Sequence, residues 1–260
     1  MLRPWMLVVA LVAAGCGPKH SLTAAVKQFE QETGVDVHVT GTFGEPLPPV
    51  PNGVELGVVD AKLARRQLPL LSDVLMAYPT SVRHDMIGNL YLVGKLRIED
   101  VPFLGLAHPR QGRFELALHP QTDPEELART MHHEIGHLFE AEEPYRTSGF
   151  RDVSAGTYVG RAPVKHWKDS ARIEWLGAGF VTPYASKNAG EDFSEIAGLA
   201  WMHPDRARDL AKRFPTLSAK LDMLTDIYQR TAPDIVLPWT GAGWSQWQQE
   251  HGGEAVDPAS

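Results

Sequence analysis

The stretch from Thr130 to Glu140 reads TMHHEIGHLFE and contains His133-Glu134-x-x-His137. On an α-helix, residues four apart share a face, so His133 and His137 can present ring nitrogens to one ion. Glu134 follows the first histidine directly, and its carboxylate can reach a bound water without taking a coordination position. Zn2+ lowers the pKa of such a water toward neutrality, and a carboxylate is suited to accept its proton and pass it to a leaving amine. Gly136 keeps one side of the helix thin, while Ile135 and Leu138 can face a core. His132 has Gly136 at its i+4 position, and therefore no partner for a shared ion.

A catalytic zinc needs a third protein ligand and an open position for water. A third histidine six residues after His137 is excluded, because that position is Glu143 and Glu140 stands where a glycine would let the chain turn. Glu174, Glu191 and Glu195 remain as candidates. In GFVTPYASKNAGEDFSEIAG, Gly179 to Gly198, Glu191 comes seven residues after Tyr184 and Glu195 one helical turn later. Glu191 at a helix start could ligate the ion, and Glu195 on the same face could hydrogen-bond to a ligand or orient it. Tyr184, in the preceding loop, could donate its phenol to an oxyanion. Asp192 would point about 100° away around the helix and is a weak ligand candidate.

The elements that must position these groups are legible in outline. The motif helix starts at Thr122 or Asp123 as cap, has Pro124, Glu125 and Glu126 in its first turn, and stops before Pro144. ARIEWLGAGF and GEDFSEIAGLAWMH read as helices flanking the loop TPYASKNAG, and DRARDLAKRF and TLSAKLDMLTDIYQR as further helices. SLTAAVKQFEQETG is an amphipathic helix with a glycine stop, and LARRQLPLLSDVLMAYP a helix that starts or kinks around Pro69. VDVHVT, LYLVGKLRI and RFELALHP read as strands. RFELALHP is a candidate edge strand for aligning an extended peptide, with a plain buried strand as the alternative. Tyr145 to Lys168 reads as loop, and GTFGEPLPPVPNG is too rich in breakers for regular structure.

His133-Glu134-x-x-His137, Tyr184, Glu191 and Glu195 together resemble the catalytic half of the gluzincin metallopeptidases related to anthrax lethal factor. HHEIGH with GFVTPYASKNAGEDFSEI is more closely similar to zinc-binding metallopeptidase lipoproteins of bacteria. The resemblance covers Glu115 to His203. It implies a zincin-like α+β fold: a small mixed sheet, a helix bearing the motif and a second helix carrying a glutamate ligand. It further implies one Zn2+ per chain held by His133, His137 and Glu191, with Glu134 as general base and Tyr184 as transition-state stabiliser. Glu195 would stand behind the ligands, and the substrate would be a peptide or protein.

The chain of 260 residues, with a net charge of −7 and ordinary hydrophobic content, can bury a sizeable core and gives no electrostatic case for nucleic acid. MLRPWMLVVALVAAGCG carries one positive charge and an apolar run too short to span a bilayer, which suits a signal peptide over residues 1–15. Ala13-Ala14-Gly15-Cys16 resembles a lipobox, although the pattern prefers a larger aliphatic at position 13. The expectation is an exported protein of the bacterial cell envelope, anchored to the membrane by lipid on Cys16; a plain secretory signal is the alternative. Cys16 is the only cysteine, so no disulfide framework exists. Residues 16–110 form an N-terminal part of unassigned role, 111–252 the catalytic region, and 253–260 a frayed tail. Trp239, Trp244 and Trp247 suggest an aromatic cluster, with core packing as its default role. Rival readings are a zinc-containing peptide-binding lipoprotein without turnover, a zinc amidase acting on a non-protein envelope substrate, and metal scavenging, which the scattered distribution of the 11 histidines disfavours.

Overall fold

A computed structural model of the protein describes residues 21–40, 53–98, 100–110, 112–120, 123–154, 158–160 and 173–241. Cys16, Trp244, Trp247, the tail and most of the proline-rich segment after Thr40 lie outside these residues. In chain order the elements are α1 (Leu22–Thr33), β1 (Asp36–Val39), β2 (Val54–Gly57), α2 (Ala61–Met76), β3 (Ile87–Leu92), β4 (Lys95–Ile98), β5 (Val101–Pro102), β6 (Gly105–Arg110) and β7 (Arg113–Leu118). The helices α3 (Pro124–Glu142), α4 (Pro144–Val153), α5 (Ile173–Gly177), α6 (Ala189–Met202), α7 (Pro204–Arg213) and α8 (Pro215–Thr231) follow. Among the described residues no helix is long and apolar enough to cross a membrane.

Among the described residues two small sheets form. β1, β3 and β7 run parallel, and β6 returns antiparallel beside β7 as the outer strand of the order β1-β3-β7-β6. β2, β4 and β5 make a second, antiparallel sheet. Tyr91, Val93, Leu96 and Ala117 form a small apolar cluster supported by Val54, Leu56, Phe103 and Leu106. The main core runs from Phe29 in α1 to Trp239 and is shared by the N-terminal strands and the C-terminal helices. Leu116 and Leu118 of β7 lie in it with Leu127, Met131, Ile135, Leu138 and Phe139 of α3.

RFELALHP is therefore an interior strand, paired on one side with β3 and on the other with β6. The edge belongs to GLAHPR, whose glycine and proline hide a strand from propensity arguments. Helix α4 replaces the expected loop after Tyr145. Pro144 ends α3, but it also sits in the first turn of the next helix, where its missing N–H costs nothing. α2 begins at Ala61 under an Asp60 cap and contains Pro69 in its interior.

Corners made in this way recur: α7 and α8 also open on prolines, Pro204 and Pro215. Trp239 is 1% exposed and donates Nε1–H to Thr225 Oγ1 at 2.9 Å, so its role is packing. His119 donates Nδ1–H to the Val93 carbonyl at 3.1 Å, the structural use of a lone histidine.

Candidate metal centre

α3 and α6 build the site between them. Asp123 caps α3 by accepting from the Glu125 N–H, and Glu125 and Glu126 sit in its first turn, where the helix dipole favours them. Asn188 caps α6 through the Glu191 N–H at 2.9 Å, which fixes Glu191 in the first turn of that helix. The helices approach closely because small residues line the contact. A Cβ on Gly136 would lie 3.1 Å from the Ser194 Cα, and one on Gly198 would lie 3.3 Å from the Arg129 carbonyl oxygen. This proximity sets the motif histidines opposite Glu191.

One donor atom each from His133, His137 and Glu191 lies within 4.8 Å of the other two. Glu191 Oε2 is 3.3 Å from His133 Nε2 and 3.5 Å from His137 Nε2, and it is buried without a hydrogen bond. Its other oxygen, Oε1, accepts from Tyr184 Oη at 2.9 Å and from Lys187 Nζ at 2.6 Å. Behind the histidines, His137 Nδ1 is 2.8 Å from Glu140 Oε2, and His133 Nδ1 is 3.0 Å from Glu195 Oε1. Glu195 is gripped by Arg129 Nη1 at 3.1 Å to each carboxylate oxygen. Gly190 makes room for Glu140, since a Cβ there would meet its carboxylate.

The electrostatics follow from burial and from these pairings. Burial alone opposes charge on the two imidazoles, yet the facing carboxylates overturn it. Glu191 and Glu195 push His133 up to about 9, and Glu140 and Glu191 push His137 up to about 10. Burial likewise opposes charge on Glu191, but the two rings hold its carboxyl far below the usual range. Glu195 is brought down to about 2 against burial, first by the charge of Arg129. Burial pushes Glu134 up, against the pull of both histidines and of the Ala107 N–H that it accepts. Tyr184 is pushed well above the ordinary phenol by burial and by the charge of Glu191. A divalent metal bound there would displace the protons that these rings carry. Two neutral imidazoles and one carboxylate oxygen, with a bare buried lone pair at their centre, suit zinc in both number and kind.

The structure thus brings together His133, Glu134, His137, Tyr184, Glu191 and Glu195. The side chain of Glu174 lies outside the described residues. Asp192 points away from the cluster, as its helical offset requires, into a fully buried pair with Lys220 at 2.6 Å. Tyr158 Oη donates to Asp192 at 2.6 Å, and Lys220 also donates to the Gly179 carbonyl at 2.6 Å. Burial pushes Asp192 up to about 6 despite Lys220. Four partners escaped the sequence reading: Arg129, Glu140 and Lys187 at the cluster, and Lys220 beside Asp192 outside it. Arg129 and Glu140 precede and follow the motif at helical spacing, a signal available in principle. Lys187 and Lys220 look like ordinary surface cations in sequence.

Fold and cluster together define an α+β protein with small sheets and a two-helix His-His-Glu site. Residues 114–220 match the family model described as "Putative zinc-binding metallo-peptidase". The fold is similar to that in the crystal structure of a "putative zinc-binding metallo-peptidase" from Bacteroides caccae. The two are 17% identical with a TM-score of 0.52, over 81% of this chain and 87% of that one. No functionally curated protein matches the chain.

Proposed function

We propose that the protein is a zinc-dependent metallopeptidase that binds one ion per chain through His133, His137 and Glu191. The observation that carries this is the bare Oε2 of Glu191, facing two histidine Nε2 atoms across the α3–α6 contact with Glu134 beside them. The family match over residues 114–220 supports it. Zinc, when bound, would acidify a water and polarise the scissile carbonyl.

Glu134 takes the proton of the attacking water and hands it to the departing amine, a relay favoured by the upward shift that burial gives its carboxyl. Tyr184 keeps its proton and donates it as a hydrogen bond to the developing oxyanion. Glu140 and Glu195 fix the two imidazoles by their second nitrogens, and Arg129 holds Glu195 in turn. The peptide lies along β6. That strand is the sheet edge beside Glu134: a Cβ on Gly105 would clash with the Glu134 carboxylate, and the Ala107 N–H already donates to it. We further propose that the chain works in the bacterial envelope, exported and lipid-anchored at Cys16, as its N-terminal pattern suggests.

The test is metal analysis with peptide turnover on two variants. Glu134→Gln keeps one zinc per chain and loses turnover by at least about a hundredfold. Glu191→Ala loses the zinc. Full turnover in metal-loaded Glu134→Gln, or full zinc in Glu191→Ala, defeats the assignment.

A further inference from the structure

The two oxygens of the Glu191 carboxylate have opposite surroundings. Oε1 accepts two hydrogen bonds, from Lys187 Nζ at 2.6 Å and Tyr184 Oη at 2.9 Å. Oε2 accepts none and faces both histidines. Lys187 sits at the end of the single 3-10 turn Tyr184–Lys187, next to the Asn188 cap. Its Nζ also lies 3.1 Å from Tyr184 Oη and 5.0 Å from the centre of the Tyr184 ring. Its side chain is 31% exposed and that of Glu191 11% exposed, so the ammonium bridges solvent and a largely dry carboxylate.

We propose that Lys187 is a positioning residue that makes Glu191 a one-oxygen ligand. The proposal rests on the metal reading above. A carboxylate that chelates with both oxygens takes the position a catalytic site keeps open for water. With Oε1 held by the ammonium, only Oε2 is offered to the ion. Tyr184 shares Oε1 but must swing its hydroxyl toward substrate when an oxyanion forms. Lys187 remains on Oε1 when it does so, and the carboxylate keeps its orientation through the turnover. An ammonium this close to a dication brings electrostatic repulsion. The signature of Lys187 is therefore the coordination number of the bound ion, and tighter metal binding is not part of it.

The experiment is visible absorption of the cobalt-substituted protein, on the parent, Lys187→Met, Lys187→Arg and Glu191→Ala, with thermal melting of each metal-free form. The expected result is one cobalt per chain in Lys187→Met and an unchanged metal-free melting temperature. Its ligand-field absorptivity falls several-fold as a second carboxylate oxygen joins the ion, and Lys187→Arg returns the parent spectrum. Lys187→Gln, neutral and shorter, gives the same fall and serves if the methionine variant does not fold. A neutral variant whose spectrum superimposes on that of a loaded parent overturns the role of Lys187 and leaves the metal site standing. A parent that takes up no stoichiometric cobalt or zinc, or a Glu191→Ala variant with the parent spectrum, overturns the site itself and the proposal with it.

Discussion

His132 and His133 are neighbours in the chain with opposite electrostatics. His133 faces carboxylates and is pushed up to about 9, whereas burial alone brings His132 down to about 3 from its ordinary 6.5. His132 is 4% exposed, its Nδ1 is 2.7 Å from Tyr78 Oη, and its ring stacks on Trp201 at 5.3 Å. Below about pH 6.5 the unfolded chain takes up a proton at His132 that the folded chain refuses, so this residue costs stability as pH falls from there toward 3. At pH 5 the cost is roughly 2 kcal/mol. His132→Phe should remove it: the stability gap between parent and variant, measured by denaturant unfolding, shifts in favour of the variant between pH 7 and pH 5. A gap that stays constant with pH would show that His132 is not held neutral. The sequence excludes His132 as a ligand because its i+4 neighbour is a glycine. It does not disclose the aromatic surroundings, which come from Tyr78 just after α2 and from Trp201 of α6.

At the scale of elements, the decisive contact is α3 against α6. A methyl group on Gly136 would already press on the Ser194 Cα, which belongs to the backbone and cannot turn aside. Gly136→Val should therefore lower stability by about 1–3 kcal/mol in denaturant unfolding. It should also weaken zinc binding, because Glu191 rides on α6 while both histidines ride on α3; parent-like affinity and stability would show that the contact can relax. Both helices were legible in sequence, α3 from its cap and α6 from its apolar spacing; the two histidines came from the motif, and the choice of Glu191 from the resemblance. Helix α4 and strand β6 were not legible. Pro144 reads as a stop in one direction and an N-terminal residue in the other, and the Gly105 and Pro109 of β6 mimic a turn. The outer strand of a sheet tolerates a proline that an inner strand does not, and edge position is a property of tertiary structure.

Across the whole molecule, the proposed ligands would tie together helices whose contributions are more than fifty residues apart in the chain. Metal bound only by the folded form stabilises all of it: zinc at a hundredfold over its dissociation constant adds about 2.7 kcal/mol. For a chain of this size that corresponds to a rise of roughly 5–10 °C in melting temperature, removed by a chelator. An unchanged melt on chelation would argue against a site built across the two helices. The core shared by residues before and after position 110 makes the N-terminal region part of the same folding unit.

Among the described residues β6 is the outer strand of its sheet, and that edge carries one more consequence. An unpaired strand is adhesive toward other copies of itself, and sheets can grow from such edges into aggregates. Here Pro109 supplies no N–H and the N–H of Ala107 is engaged by Glu134. The edge is short of donors but keeps its acceptors, so it can pair with a peptide that brings its own N–H groups, whereas a second copy of the same edge brings few.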